Sequence, residues 1–176
     1  MSEAKMATAN ANVDAAFDGN TSEMDGKYLT FYTDGQLFGV PIADVVQIVG
    51  MQGITEIPEF PAYAKGIINL RGIIIPVIDV RLRFNKAERA YDERTCIIVT
   101  MIHEVAIGFI VDEMDAVTDI DDENISAPPK VAGDAQSTYL TGIAKHESKV
   151  VLLLSTSRLL SEETMDIITS TNVGGN

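Results

Sequence analysis

Few side chains in this sequence could carry chemistry, and their spacing weighs against most of it. The two histidines, His103 and His146, stand far apart, and neither lies at metal-ligand spacing from the single cysteine or from the other. Each reads as a surface or hairpin residue. Cys96 opens the run CIIVT, which has the composition of a buried strand, so its thiol reads as a small core hydrophobe rather than a nucleophile. With one cysteine, no intrachain disulfide can form. The run DIDDEN puts Asp119, Asp121 and Glu123 at alternate positions, as a calcium loop does. Asn124 stands where that loop needs glycine, and Lys130 where it needs a bidentate glutamate, so the run reads as a solvated acidic turn. Neither a phosphate-cradling glycine loop nor a Gly-x-Ser-x-Gly elbow is present. The carboxylate pairs Asp112-Glu113 and Glu162-Glu163 sit in ordinary polar contexts. No residue is assigned a catalytic, cofactor-binding or metal-ligating role, no cofactor is expected, and the chain is not expected to be an enzyme.

The most informative stretch is GIINLRGIIIPVIDVRLRF, from Gly66 to Phe84. Asn69-Leu70-Arg71-Gly72 is a polar corner between two apolar runs. Asparagine tolerates left-handed backbone and glycine adopts it freely, so a tight connection between strands is expected there, with Leu70 and Arg71 at its tip. Arginine offers five donors in a planar fork on an apolar stem, which suits a protein interface. The plainer readings are a solvated turn arginine or an internal salt bridge from Arg71 to Asp79. Pro76 cannot donate to a ladder, so it marks an edge strand or a bulge. Beyond it, Asp79, Arg81 and Arg83 alternate with Val80, Leu82 and Phe84, as in a strand with one wet face or a short capped turn.

The elements that position this corner are mostly strands. KYLTFYT ends at Asp34-Gly35, a hairpin signal, and QLFGVPI follows. VVQIVG, GIINL, GIIIPVIDV, TCIIVTMI, EVAIGFIVDEM, AVTDI and KVVLLLST complete a set of short, turn-bounded segments. Helical pieces are plausible in PIADVVQIV and in SEETMDIITS, where Ser161 is a fair N-cap. The chain also repeats itself. Aligning Gly39 with Gly108 sets Val45 against Met114 and Ile48 against Val117. Aligning Gly66 with Gly142 sets Ile67 against Ile143, Ile78 against Leu154 and Phe84 against Leu160. Two similar β subdomains are inferred, joined by the polar segment 83–95. Residues 119–139, with Pro128-Pro129, are expected to form a long surface loop.

The 176 residues suffice for one ordinary domain or two small subdomains, and a 46% hydrophobic share supports a real core. Residues 1–26 are rich in Ala, Asn, Asp, Ser and Glu, and are expected to be a flexible acidic tail; a C-terminal tail is expected over 166–176. The formal net charge of -13 disfavours nucleic acid and anionic membrane surfaces. No apolar run approaches the roughly 20 residues that span a bilayer, and the N-terminal residues lack the core of a secretory signal, so a cytoplasmic protein without membrane insertion is expected.

KYLTFYTDGQLFGVPIADVVQIV, IPEFPAYAKGIINLRGIIIPVIDVRLRF, VAIGFIVDEMDAVTDID, YLTGIAK and VVLLLSTSRLL occur in the order seen in the CheW family of bacterial chemotaxis coupling proteins, which this sequence resembles. The resemblance covers roughly Lys27 to Leu160, and its most specific block runs from Lys65 to Phe84. It implies an all-β fold of two tandem five-stranded SH3-like β-barrel subdomains packed together within 27–165. It implies a non-catalytic adaptor that bridges the cytoplasmic tip of chemoreceptors to the regulatory domain of the CheA histidine kinase, held at the inner face of the membrane through the receptors. In the family the arginine of the Asn-Leu-Arg-Gly motif matters for receptor coupling, which makes Arg71 the leading partner-binding residue. Leu70, Asn69, Gly66 and Gly72 belong to the same block, and Val45 matches a receptor-groove valine. Many relatives carry Arg where Val49 stands and Glu where Gln47 stands, which leaves the docking details open. The same module could serve a non-flagellar pathway such as type IV pilus motility. A small β-barrel enzyme or ligand-binding protein would instead need a concave apolar pocket with convergent polar groups.

Overall fold

The structure is a computed structural model and describes residues 24–128, 139–160 and 164–169. β-Branched and aromatic runs, four pairs of them joined by two-residue turns, form eleven strands among these residues. These are β1 (Lys27–Thr33), β2 (Gln36–Pro41), β3 (Val45–Gly50), β4 (Ala64–Leu70), β5 (Ile73–Asp79), β6 (Cys96–Ile102), β7 (Val105–Val111), β8 (Glu113–Asp119), β9 (Ile125–Ser126), β10 (Leu140–His146) and β11 (Lys149–Leu154). They make two sheets. The first has the order β8-β1-β2-β11-β10-β9 and the second β3-β6-β7-β5-β4. The all-β expectation holds.

The internal repeat is visible in the registers. Leu153 lies opposite Gly39 in the parallel pair β2–β11, and Val77 lies opposite Gly108 in the parallel pair β5–β7. The β4–β5 ladder slips by one residue between Ala64 and Gly66, and the β10–β11 ladder slips at the same place, between Leu140 and Gly142. Yet the two repeats are not the two sheets. β3 pairs with β6 and β8 pairs with β1, so each sheet takes strands from both halves of the chain. Among the described residues the chain changes sheet twice, at the 3₁₀ turn Ile42–Asp44 and at Asp112. The expected joint at 83–95 therefore lies within the second sheet, because β5 before it and β6 after it belong together.

Three apolar clusters follow from this arrangement. The largest lies between the sheets and includes Leu29, Phe31, Val45, Ile78, Ile98, Phe109, Leu154 and Ile168. An aromatic row runs through it, with ring centroids of Phe31–Phe38, Phe38–Phe84 and Phe84–Tyr139 at 5.8, 5.1 and 5.0 Å. Each sheet also has its own cluster on its other face. Ile68, Ile75, Val77, Ile97, Val99 and Ile110 make one; Leu37, Ile120, Ala144, Val151 and Leu153 make the other. Fully burying a side chain of this size stabilises the fold by about 1.5–3 kcal/mol. Cys96 is fully buried, and burial pushes its thiol up to about 12.

Several expectations change. PIADVVQIV is a 3₁₀ turn followed by β3, since its β-branched residues pair along β6. EVAIGFIVDEM is two strands broken at Asp112. The stretch after Val80 is a short helical turn, Val80–Arg83, capped by Asp79. Within 119–139, a turn at Asp122–Asn124 and strand β9 interrupt the expected loop, and β9 pairs with β10; residues 129–138 lie outside the described ones. A helix covers 164–169 with Ile168 fully buried, so folded chain continues past 165; its expected cap, Ser161, lies outside the described residues. At the other end Met24 is already in the core, ahead of the expected start at 27. No helix among the described residues is long and apolar enough to cross a membrane.

A candidate docking hairpin

The β4–β5 hairpin is closed by the pair Leu70–Ile73, leaving Arg71 and Gly72 as its two-residue turn. Their φ angles of +55° and +88° are both left-handed, as a type I′ turn requires. Arg71, not Asn69, takes the left-handed position. Asn69 stays in the strand opposite Ile74, and its Oδ1 accepts a hydrogen bond from the Gly72 N–H at 2.8 Å. Arg71 is exposed and makes no ion pair or hydrogen bond with any described residue. The alternative of a salt bridge to Asp79 fails on length. Asp79 lies at the far end of β5, about 20 Å away at the strand rise of about 3.3 Å per residue. There it is 2% exposed, accepts from Tyr91 Oη at 2.7 Å and caps the Val80–Arg83 turn. The Tyr91 phenol is driven well above its ordinary range, by burial first and then by this bond.

Apolar surface continues from the tip. Ile73 is 61% exposed, Ile74 43% and Met101 48%. Strand alternation puts Leu70 and Ile73 on the same face as Ile75 and Val77, and puts Met101 and Ala106, which pair, on that face too. The second sheet's own cluster therefore runs out into an uncovered rim around the turn. Pro76 sits on an inner strand, not on an edge. Pairing of β5 with β7 begins one residue later, at Val77, so its missing N–H falls where that ladder has not started.

Two expected partner-binding residues serve the framework. Val45 is completely buried opposite Thr100, while Val46 beside it is 37% exposed. Gly66 has a φ of +145°, and a Cβ there would stand 2.0 Å from the Thr55 carbonyl oxygen. Thr55 bridges Ile67 through a pair of 2.9 Å backbone bonds, which is why the backbones approach so closely. The structure brings Asn69, Leu70, Arg71 and Gly72 together at the tip, with Gly66 further along the same hairpin, and sets Val45 in the intersheet core.

Other polar groups converge where composition held no sign of them. Asp112, at one sheet crossing, accepts from Arg81 Nε with both oxygens at 3.0 Å and from the Asp34 N–H at 2.8 Å; Arg89 lies 3.7 Å away. The bond to Asp112 holds the Arg81 guanidinium further above its ordinary value. Asp112 and Arg89, with Tyr32, Gly35, Arg94 and Glu113, border a hollow of about 330 Å³. Arg83 lies 5.3 Å from the Tyr63 ring centre and 5.2 Å from that of Tyr139. His103 is in the β6–β7 turn and His146 ends β10. Among the described residues no three His, Cys, Asp or Glu side chains gather as a metal site would need.

A family model described as a CheW-like domain matches residues 27–164. The chemotaxis protein CheW of Klebsiella aerogenes is 32% identical over 142 residues, covering 81% of this chain and 86% of the relative. A probable chemotaxis protein CheW of Rhizobium etli is 30% identical over 138 residues, covering 78% and 89%. Among solved structures, the scaffolding protein TtCheW from Thermoanaerobacter tengcongensis superposes with a TM-score of 0.72 at 36% identity, covering 79% of this chain and 94% of that one.

Proposed function

The chain belongs to the CheW-like domain family, and from that premise we propose that it is a non-catalytic chemotaxis adaptor that docks through the β4–β5 hairpin. Its partners are the cytoplasmic tip of chemoreceptors and the regulatory domain of a CheA-type histidine kinase. It acts in the cytoplasm, drawn to the membrane by the receptors it holds.

The observation that carries this reading is the Arg71 guanidinium, without a partner among the described residues, on a short turn beside uncovered Ile73, with Met101 exposed on the same sheet face. A planar five-donor cation next to apolar surface is the composition of an interface anchor. A carboxylate on a partner would form a charge-assisted pair with Arg71, and apolar side chains would cover Leu70 and Ile73. Asn69 and Gly72 shape the tip. Gly66 and Val45 act through the framework, one by allowing the Thr55 bridge and the other by packing the core under β3.

The test is reconstitution with the cognate kinase and receptor-bearing membranes, following kinase autophosphorylation. Activity should rise only with all three components present, and Arg71→Glu should remove the rise while leaving the unfolding midpoint unchanged. Normal coupling by Arg71→Glu would reduce Arg71 to a turn residue.

A further inference from the structure

We propose that Asn69 is a positioning residue for Arg71 rather than a contact residue in its own right; this rests on the reading of Arg71 as the group that meets a partner. In a two-residue type I′ turn the second turn amide has no partner in the ladder. At this tip Asn69 Oδ1 takes it, accepting from Gly72 N–H at 2.8 Å. The bond spans Arg71 and ties the backbone on both sides of it to β4. Arg71 has no bond or ion pair of its own to any described residue, so its direction comes from the turn backbone alone.

The β6–β7 hairpin supplies the control. Its turn closes with the pair Ile102–Val105, and His103 and Glu104 have φ of +49° and +69°, both left-handed as at Arg71 and Gly72. The residue in the place of Asn69 is Met101, whose thioether is only a weak acceptor. The hairpin forms there without a brace. The Asn69 bond is therefore not what makes such a turn close, and it is spent on the one that carries the unpaired arginine. Asparagine is well suited, because its short side chain reaches back to nearby backbone amides.

The experiment compares Asn69→Ala, Asn69→Asp and Arg71→Ala, each as the full chain. Three readouts are taken: half-maximal activation of the cognate kinase on receptor-bearing membranes, amide exchange at Gly72 by NMR, and thermal unfolding. Losing one exposed hydrogen bond should change the first two by about threefold to tenfold in Asn69→Ala, with unfolding little altered. Asn69→Asp keeps an acceptor at the same reach and should restore both. Faster exchange in Asn69→Ala with normal coupling overturns the positioning role, as does unchanged exchange. Equal loss of coupling in Asn69→Ala and Asn69→Asp overturns it in favour of direct contact by the amide. Normal coupling in Arg71→Ala sinks instead the underlying reading of Arg71, and so is told apart from these.

Discussion

At the β4–β5 tip the closing pair is Leu70 and Ile73; at the β10–β11 tip, in the same register, it is His146 and Lys149. Both ladders slip one residue at the same point, and both carry a glycine beside a bridging segment, Gly66 by Thr55 and Gly142 by Ser126. Their surfaces are opposite. Arg71 has no partner among the described residues and stands beside exposed isoleucines, whereas Glu147 lies 3.9 Å from His146 and Lys149 donates to Tyr32 Oη at 3.1 Å over the tyrosine ring. That pairing is the first cause of the rise of the Lys149 ammonium above its ordinary value. Where the repeats agree, the residue serves the backbone; where they diverge, the surface is free to serve a partner. On that criterion Gly66 is framework, while Arg71 and Ile73 are the positions to test.

The largest effect should come from the shared position. Gly66→Ala drives a Cβ into the Thr55 backbone at a φ only glycine adopts readily, and should cost about 3 kcal/mol or more. Gly142→Ala meets mainly the Ile125 γ-methyl rather than backbone, at a φ open to any residue, and should cost about 1–2 kcal/mol. Urea midpoints at constant slope measure both, and equal losses would break the contrast. Next, Arg71→Glu should weaken receptor-dependent kinase activation at least about tenfold, as loss of an interface arginine does. Ile73→Lys, which copies Lys149, should weaken activation about threefold to tenfold; its stability should hold within about 0.5 kcal/mol, since the side chain is already exposed. Glu147→Arg should leave activation where it was. A loss there as large as that of Arg71→Glu would mean that both tips dock.

Local structure was largely legible in the residues. Asp34-Gly35 turned the first hairpin, and the repeat alignment matched the observed registers residue for residue, because period-2 patterning and turn chemistry are local properties. Pairing between distant strands was not legible. Apolar faces of β3 and β8 are alike, so nothing in them says that each lies against the other half's first strand. Asp112 leaves no trace of a sheet crossing because one residue makes it. The tip itself could be read from Asn69 to Gly72, but the left-handed place was given to Asn69 in place of Arg71. Met101 joined the rim from a strand that begins beyond the polar joint, and no local spacing could announce that.

The two crossings have a consequence for how the molecule assembles. Everything the second sheet needs lies between residues 45 and 111, so it can be finished while the rest of the chain is still being made. The first sheet cannot. Its β1–β2 hairpin emerges from the ribosome before the second sheet, yet its neighbours β8 and β11 follow only after that whole intervening sheet. Closing that long loop is entropically cheaper once the intervening chain is compact than while it is a coil. The strands made before the second sheet are thus among the last to gain their outer partners. Until then their open edges are the part of the nascent chain most in need of protection from other molecules.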